Sequence, residues 1–193
     1  MERETMEYDV VIVGGGPSGL STAIKFAQLN QENGTDYSIC LLEKGSEIGA
    51  HILSGNVFQT TALDELIPNW KDLNAPLNVP VKKDKLLYLL EKISLPVPAF
   101  IMPTMNNHGN YVISLGNLCR WLAVQAENLG VEIFPGFPAS KLIYENDKVV
   151  GVQTGDMGIG ANGELKPGNE PGIDIRAKYT ILGEGCRGHL GKE

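Results

Sequence analysis

Six consecutive residues, Gly14-Gly15-Gly16-Pro17-Ser18-Gly19, have the spacing G-x-G-x-x-G, and each glycine of the pattern answers a steric demand. Gly14 permits a tight turn, Gly16 lets backbone approach a pyrophosphate, and Gly19 lets a helix pack close to a strand. A helix that starts here turns free N–H groups and a partial positive charge toward a diphosphate. Alone, the pattern is weak. It gains weight from Glu43, which closes the next apolar run. A carboxylate there accepts hydrogen bonds from both hydroxyls of an adenosine ribose and repels a 2′-phosphate.

These residues need elements to hold them. Residues 8–13 form a short β-branched run closed at once by glycine, which reads as a buried strand. Residues 18–31 carry Leu20, Ile24, Ala27, Gln28 and Leu29 at helical spacing, "ENGTD" is a turn, and "YSICLLEK" is a second strand. The result is a β-α-β unit of the expected ~30 residues. From residue 45 to 110 the pattern is irregular, and prolines at 68, 76, 80, 96, 98 and 103 bar a long helix. A short helical piece is expected near residues 60–66, and "VKKDKLLYLLEK" reads as a strand or strand pair.

Residues 114–129 predict the next helix, with Leu115, Leu118, Leu122 and Ala126 on one stripe and Gly130 at its end. "VEIFPG" follows as a short strand of the same parallel sheet. "ASKLIYENDKVVGVQTGD" predicts a hairpin turning at Glu145, Asn146, Asp147 and Lys148. Residues 156–172, rich in Gly and with Pro167 and Pro171, read as an extended surface loop. "IDIRAKYTIL" returns as strand. The fold class is α/β, with an antiparallel insert between parallel strands.

The Gly-Gly-Gly-Pro form followed by Gly-Leu resembles the FAD-binding variant of the glycine loop more than that of a nicotinamide dehydrogenase. A dehydrogenase domain continues with regular β-α repeats, whereas this chain breaks into an irregular stretch and later a hairpin. FAD is therefore the expected cofactor. A flavin carries its own redox chemistry, and no Ser–His–acid grouping or carboxylate pair stands out, so no catalytic residue is assigned. Arg120, near the start of the second helix, suits FAD phosphates because guanidinium donors match phosphate oxygens; the alternative is a solvated surface arginine. Small residues around His51 in "GAHILSG" let backbone run along an extended cofactor. His51 itself is either a hydrogen-bond donor near flavin or a packed structural histidine. His108 in "MNNHGNY" shares that ambiguity, with Asn106, Asn107 and Asn110 pointing to a hydrogen-bonded turn.

Composition narrows the partners. At 193 residues, 42% hydrophobic and 20% charged, the chain is that of one ordinary globular domain. Its net charge of −7 argues against nucleic acid. Cys40, Cys119 and Cys186 lie far apart with no C-x-x-C, so no metal residue is assigned and a reducing compartment is expected. No apolar run reaches the ~20 residues of a membrane span, and "MERETMEYDVVIV" has neither a signal core nor the character of a transit peptide. The expectation is a chain that is neither translocated nor membrane-spanning.

The chain resembles the electron transfer flavoprotein–ubiquinone oxidoreductase family. The matching stretches are "YDVVIVGGGPSGLSTAI", "LLEKGSEIGAHILSGNVF", "MNNHGNYVISLGNLCRWLAVQAENLGVEIFPGF", "TGDMGIGANGE" and "AKYTILGEGCRGHLGK". "GAHILSG", "MNNHGNY" and "EGCRGHLGK" are much narrower than the glycine loop. The resemblance implies a Rossmann-like FAD-binding domain of the glutathione-reductase type, three-layered, with an antiparallel β insert. It further implies a membrane-associated enzyme that takes electrons from electron transfer flavoprotein and reduces ubiquinone, using FAD and a 4Fe–4S cluster.

By the same resemblance, Gly14, Gly16, Pro17, Ser18 and Gly19 hold the diphosphate, and Glu43 the ribose with Lys44 beside it. Gly49, Ala50 and His51 lie along the cofactor, Arg120 near the phosphates, Ala139 against the adenine by backbone, and Gly185 in a later turn. The family's cluster cysteines and quinone-pocket segment come later in its sequence. The chain is thus expected to be the N-terminal FAD-binding part of a longer protein, inactive alone. An insert at about 53–105 is expected on the quinone or membrane side, where the apolar stretches 53–70 and 95–103 either face the membrane or pack beneath the rest of the protein. The implied location is peripheral, on the cytoplasmic face of a bacterial inner membrane. Two alternatives remain: an FAD reductase of the geranylgeranyl reductase type, which should lack the 156–172 insertion and the "EGCRGHLGK" turn, and a non-catalytic cofactor-binding fragment.

Overall fold

The computed structural model describes residues 3–159 and 164–192, and the chain divides into two compact units. The first comprises Met1–Ile52 with Cys119–Glu193, the second Leu53–Leu118. Strand β1 (Thr5–Val13), helix α1 (Pro17–Asn33) and β2 (Ile39–Glu43) make the first crossover. The second unit contributes β3 (Ser54–Phe58), α2 (Thr61–Leu66), β4 (Val79–Pro80), β5 (Leu86–Leu89), β6 (Ser94–Val97) and β7 (Tyr111–Ser114). The chain continues through α3 (Leu115–Asn128) to β8 (Glu132–Pro135), β9 (Ala139–Glu145) and β10 (Lys148–Thr154). It then forms β11 (Met157–Ile159), β12 (Leu165–Glu170) and β13 (Asp174–Leu182).

The six-stranded sheet of the first unit has the order β8-β2-β1-β13-β10-β9. β1 lies parallel to β2 on one side and to β13 on the other, with Val13 opposite Leu42 and Leu182. Strands paired on both edges and covered on both faces need continuous apolar runs. Val10, Val11, Ile12 and Val13 supply one, and Ile39, Cys40, Leu41 and Leu42 the other; all eight are buried. α1 buries Leu20, Ile24 and Ala27 of the expected stripe together with Ala23, whereas Leu29, expected on the same face, is exposed and Gln28 half-buried. β8 extends the parallel set beside β2, as expected. β9 and β10 pair antiparallel around Asn146 and Asp147, both at positive φ, which the tight two-residue turn requires.

The core beneath this sheet joins Tyr8, Val11, Val13, Cys40, Leu42, Ala139, Val152 and Ile175. Tyr8 is its one phenol. The hydroxyl donates to Glu132 Oε2 at 2.9 Å, and burial together with that carboxylate pushes its pKa well up. Phe134 packs edge-on against both Tyr8 and Phe137.

Residues 156–172 depart from the loop reading. β11 and β12 form an antiparallel ribbon, with Met157 opposite Glu170 and Asn169 Nδ2 donating to Met157 O at 2.8 Å. Pro167 can sit in this strand because a two-stranded ribbon leaves one edge free of ladder bonds. Asp156 closes the base of the ribbon: it pairs with Arg3, and its Oδ1 accepts from Gly172 N at 2.8 Å. Residues 160–163, part of the expected loop and of "TGDMGIGANGE", lie outside the described residues.

In the second unit β7 lies between β3 and β4, antiparallel to both. α2 takes up the helical piece expected near residues 60–66. Thr60 Oγ1 donates to Asp64 Oδ2 at 2.8 Å, and Trp70 Nε1 donates to Oδ1 at 2.7 Å. These bonds, that of Trp70 first, hold the Asp64 carboxyl below the usual carboxylate range. Trp70 is buried and packs edge-on against Tyr111, and Leu63, Ile67, Ala75, Leu77 and Ile113 of the same unit are buried as well. Within the apolar stretch 53–70, Leu63, Ile67 and Trp70 are thus buried, whereas Leu53 and Val57 are exposed. β5 is a single strand of "VKKDKLLYLLEK", and its partner β6 comes from the proline-bearing segment that follows.

Burial decides the thiol chemistry. It pushes the Cys40 thiol up to about 12 and the Cys119 thiol up to about 11, while Cys186 is exposed. A thiol reagent at neutral pH should therefore label one cysteine of the folded chain and three after unfolding. Rapid labelling of two in the folded state would contradict the burial of Cys40 and Cys119.

Candidate functional site

The glycine loop is built where β1 stops. Gly14 N donates to Leu42 O at 2.8 Å, then the backbone turns at Gly14 with φ of 111°. A side chain at Gly14 would be strained and would strike the carbonyl of Gly183. Gly19, buried in the first turn of α1, faces the carbonyl oxygen of Gly14, and a Cβ there would overlap it. Gly183 N donates to Val13 O at 2.7 Å, so the end of β13 is fixed against the same turn. Three glycines from two chain segments thus share one tight junction.

Gly16 is different. A Cβ there meets nothing within 4 Å, so the junction opens to one side at the start of α1. Gly16 caps the helix without a side-chain hydrogen bond, Pro17 occupies the first position, and no acidic residue lies in the first turn. The first-turn N–H groups of Ser18 and Gly19 have no helical acceptor. Free donors, the positive end of the helix and an open approach are what an anion needs.

Glu43 stands beside this opening at the end of β2. Its Oε2 accepts from Gly15 N at 2.9 Å and its Oε1 from Gly45 N at 2.6 Å. Two backbone donors orient the carboxylate, and each oxygen keeps a further acceptor position. The buried Ile48 side chain packs where a Cβ of Gly15 would lie, which keeps the loop against β2. Gly45 O accepts from Gly136 N at 2.7 Å and Glu43 O from Phe137 N at 3.0 Å. Those two bonds bring the segment leading to the buried Ala139 alongside Glu43.

The structure therefore gathers Gly14, Gly16, Pro17, Ser18, Gly19, Glu43 and Lys44 in one place. Gly49 is buried, Ala50 and His51 are exposed, and His51 Nδ1 lies over Gly45. Arg120 reaches Glu47 Oε1 at 3.1 Å in an exposed pair, with 45% and 63% of the side chains accessible. Gly185 has a φ of 75° and open space around it, one turn beyond the junction that Gly183 makes. Glu184 fixes this turn. Its carboxylate accepts from the backbone N–H groups of His189, Leu190 and Gly191 at 3.2–3.4 Å, and His189 Nδ1 lies 3.2 Å away. Sequence reasoning did not single out Gly45, Ile48, Gly183 or Glu184; a glycine right after the last strand was the available sign for Gly183. Among the described residues, no three His, Cys, Asp or Glu side chains converge as metal ligands.

Residues 12–73 match the NAD(P)-binding Rossmann-like domain family. Over its whole length the chain is 58% identical to an electron transfer flavoprotein-ubiquinone oxidoreductase of Pseudomonas aeruginosa, of which it covers 36%. Mitochondrial oxidoreductases of the same name are 51% identical in Arabidopsis thaliana (97% of this chain, 29% of the relative) and 49% in Mus musculus (100% and 32%). The chain thus spans about a third of the length of these curated relatives and corresponds to their N-terminal part. Among solved structures, a geranylgeranyl bacteriochlorophyll reductase-like protein of Thermoplasma acidophilum superposes with a TM-score of 0.70 at 26% identity, over 97% of this chain and 42% of that one. A myxobacterial chondrochloren halogenase, a variant of FAD-dependent halogenases, superposes at 0.62 and 18% identity, over 96% and 39%. The Rossmann-like α/β fold and the resemblance to the oxidoreductases are both borne out.

Proposed function

We propose that this chain is the FAD-binding part of an enzyme that passes electrons from electron transfer flavoprotein to ubiquinone. The observation that carries the reading is end-to-end similarity, at 58% identity, to an oxidoreductase of that name. The open cradle at Gly16, with an oriented Glu43 beside it, fits the ADP half of FAD. In this reading Gly14, Gly16, Pro17, Ser18 and Gly19 hold the diphosphate. Glu43 receives the ribose hydroxyls with Lys44 adjacent, and Ala139 meets the adenine through its backbone. Gly49, Ala50 and His51 follow the cofactor, Arg120 reaches toward its phosphates, and Gly185 belongs to the turn nearby. FAD supplies the redox chemistry; these residues bind and orient it. The 4Fe–4S cluster and the quinone pocket are assigned to the remainder of the longer protein, and the parent is placed at a membrane surface.

A chimera tests the whole reading. With this chain in place of the matching part of the Pseudomonas aeruginosa relative, FAD binding and ubiquinone reduction by reduced electron transfer flavoprotein should both persist. A chimera that holds FAD but reduces no quinone contradicts the proposal, and turnover by the 193-residue chain alone contradicts its reading as a part. A geranylgeranyl-type reductase is the second reading, supported by the 0.70 superposition. The oxidoreductase relatives share about twice its identity with this chain.

Arg120 offers a finer test. Its pair with Glu47 is exposed and worth ~0–1 kcal/mol, so Arg120→Ala should barely change the melting temperature. Loss of one charge-assisted phosphate bond, ~1.5–3 kcal/mol, should weaken FAD binding about tenfold or more. Unchanged FAD affinity would remove Arg120 from the phosphates.

A further inference from the structure

The loop after β2 sets a second carboxylate beside the glycine turn. Ile48 packs inward, where a Cβ of Gly15 would lie, and is buried. That anchor holds the neighbouring Glu47 close to Glu43. Glu47 O and Glu43 Oε1 each lie 3.1 Å from where a Cβ of Gly45 would stand, and Glu47 O also accepts from Ala50 N at 3.3 Å. The Glu47 side chain is exposed, and its Oε1 accepts from Arg120 Nη2 at 3.1 Å. Arg120 sits early in α3, directly after the buried Cys119. Burial first, and then the Glu43 carboxylate, push the Cys119 thiol up to about 11, with Arg120 opposing them. This turn of α3 therefore lies beside Glu43, and the Glu47–Arg120 pair joins it to the loop after β2.

A carboxylate and a phosphate seek the same planar donors of a guanidinium. Glu47 also carries the same sign of charge as a diphosphate. We propose that Glu47 competes with the diphosphate of FAD for Arg120, so that cofactor binding exchanges the Glu47–Arg120 pair for an Arg120–phosphate pair and Glu47 limits the affinity. The exchange costs little, because Glu47 is exposed and returns to water with no burial penalty. Until the cofactor arrives, the pair holds the guanidinium on the loop that follows Glu43. The inference rests on the proposed reach of Arg120 toward the phosphates and goes beyond it by giving Glu47 an opposing role.

Titration of the full 193-residue chain with FAD, ADP and adenosine tests it, in four forms: the parent, Glu47→Gln, Arg120→Ala and the double variant. Glu47→Gln should bind FAD and ADP about two- to fivefold more tightly, the span set by what an exposed ion pair contributes. Adenosine, which has no phosphate, should bind the parent and Glu47→Gln equally, and the gain for ADP should shrink as salt rises. In the Arg120→Ala background the same substitution should bring no gain, since the coupling between two neighbours vanishes with either of them. Both side chains are exposed, so melting of all four forms should coincide. Equal or weaker ADP binding by Glu47→Gln overturns the competition. A full gain in the absence of Arg120 overturns it too, leaving plain repulsion between Glu47 and the diphosphate. If Arg120→Ala binds FAD as the parent does, the inference falls together with the phosphate role of Arg120, while the cradle at Gly16 stands. A parent chain that binds neither FAD nor ADP overturns the cradle itself, and the inference with it.

Discussion

Gly19→Ala should abolish tight FAD binding and lower the melting temperature by several degrees. A Cβ at position 19 overlaps the carbonyl oxygen of Gly14, and a backbone carbonyl cannot rotate aside as a side chain can. Either α1 withdraws from β1 or the glycine turn opens. Overpacking of this kind costs ~1–3 kcal/mol, or more where backbone must move. For a chain of this size, ~3 kcal/mol corresponds to roughly 6–12 °C. The same displacement misplaces the first-turn donors; losing two charge-assisted bonds of ~1.5–3 kcal/mol each weakens affinity ~100-fold or more. Gly16→Ala separates binding from folding. Its Cβ meets no atom within 4 Å and its φ of −83° suits alanine, so stability should stay within ~0.5 kcal/mol. The methyl group would still project into the space where a diphosphate approaches, so FAD affinity should fall about tenfold or more. Parallel melting curves and FAD titrations read both effects. A Gly16→Ala chain with undiminished FAD affinity would remove the diphosphate from this cradle.

Glu43→Gln should weaken binding of ADP and FAD by ~10–100-fold and narrow the preference against a 2′-phosphate. The carboxylate accepts from Gly15 N and Gly45 N on opposite oxygens. A glutamine keeps the shape but presents an NH2 group to one of those donors, leaving a part-buried N–H unpaired at ~1–3 kcal/mol. It also removes the charge that receives ribose hydroxyls and repels a 2′-phosphate. Calorimetric titration with ADP and with adenosine 2′,5′-bisphosphate separates the two effects. The variant should lose affinity for ADP and lose less, or gain, for the bisphosphate. Equal ADP binding by both chains would restrict Glu43 to holding the loop.

The parts of this site that depend on local sequence were legible. The β1–α1–β2 crossover, the glycine loop and the acid at the strand end all follow from spacing within one supersecondary unit. The β9–β10 turn was equally local, since Asn146 and Asp147 are residues that tolerate positive φ. What sequence could not rank was approach between distant segments. Gly183 and Gly185 look alike in "ILGEGCRG", and only the pairing of β13 with β1 shows that Gly183 meets Gly14 and Gly19. β1 starts earlier than its apolar run because Thr5 and Glu7 pair with Asp174 and Arg176, far along the chain. Trp70 in an apolar stretch could equally have faced outward; it is buried, with its Nε1 donating to Asp64. The β11–β12 ribbon escaped because its prolines argue for a loop until only two strands are seen to pair.

We propose that the junction of Gly14, Gly19 and Gly183, open at Gly16 and flanked by Glu43, binds the ADP half of FAD. Equilibrium titration of the folded 193-residue chain with FAD, followed by competition with ADP, tests this most directly. The account predicts saturable one-to-one binding that ADP displaces and that Gly16→Ala weakens. A folded chain that binds neither FAD nor ADP, or binds FAD with no competition from ADP, would contradict it.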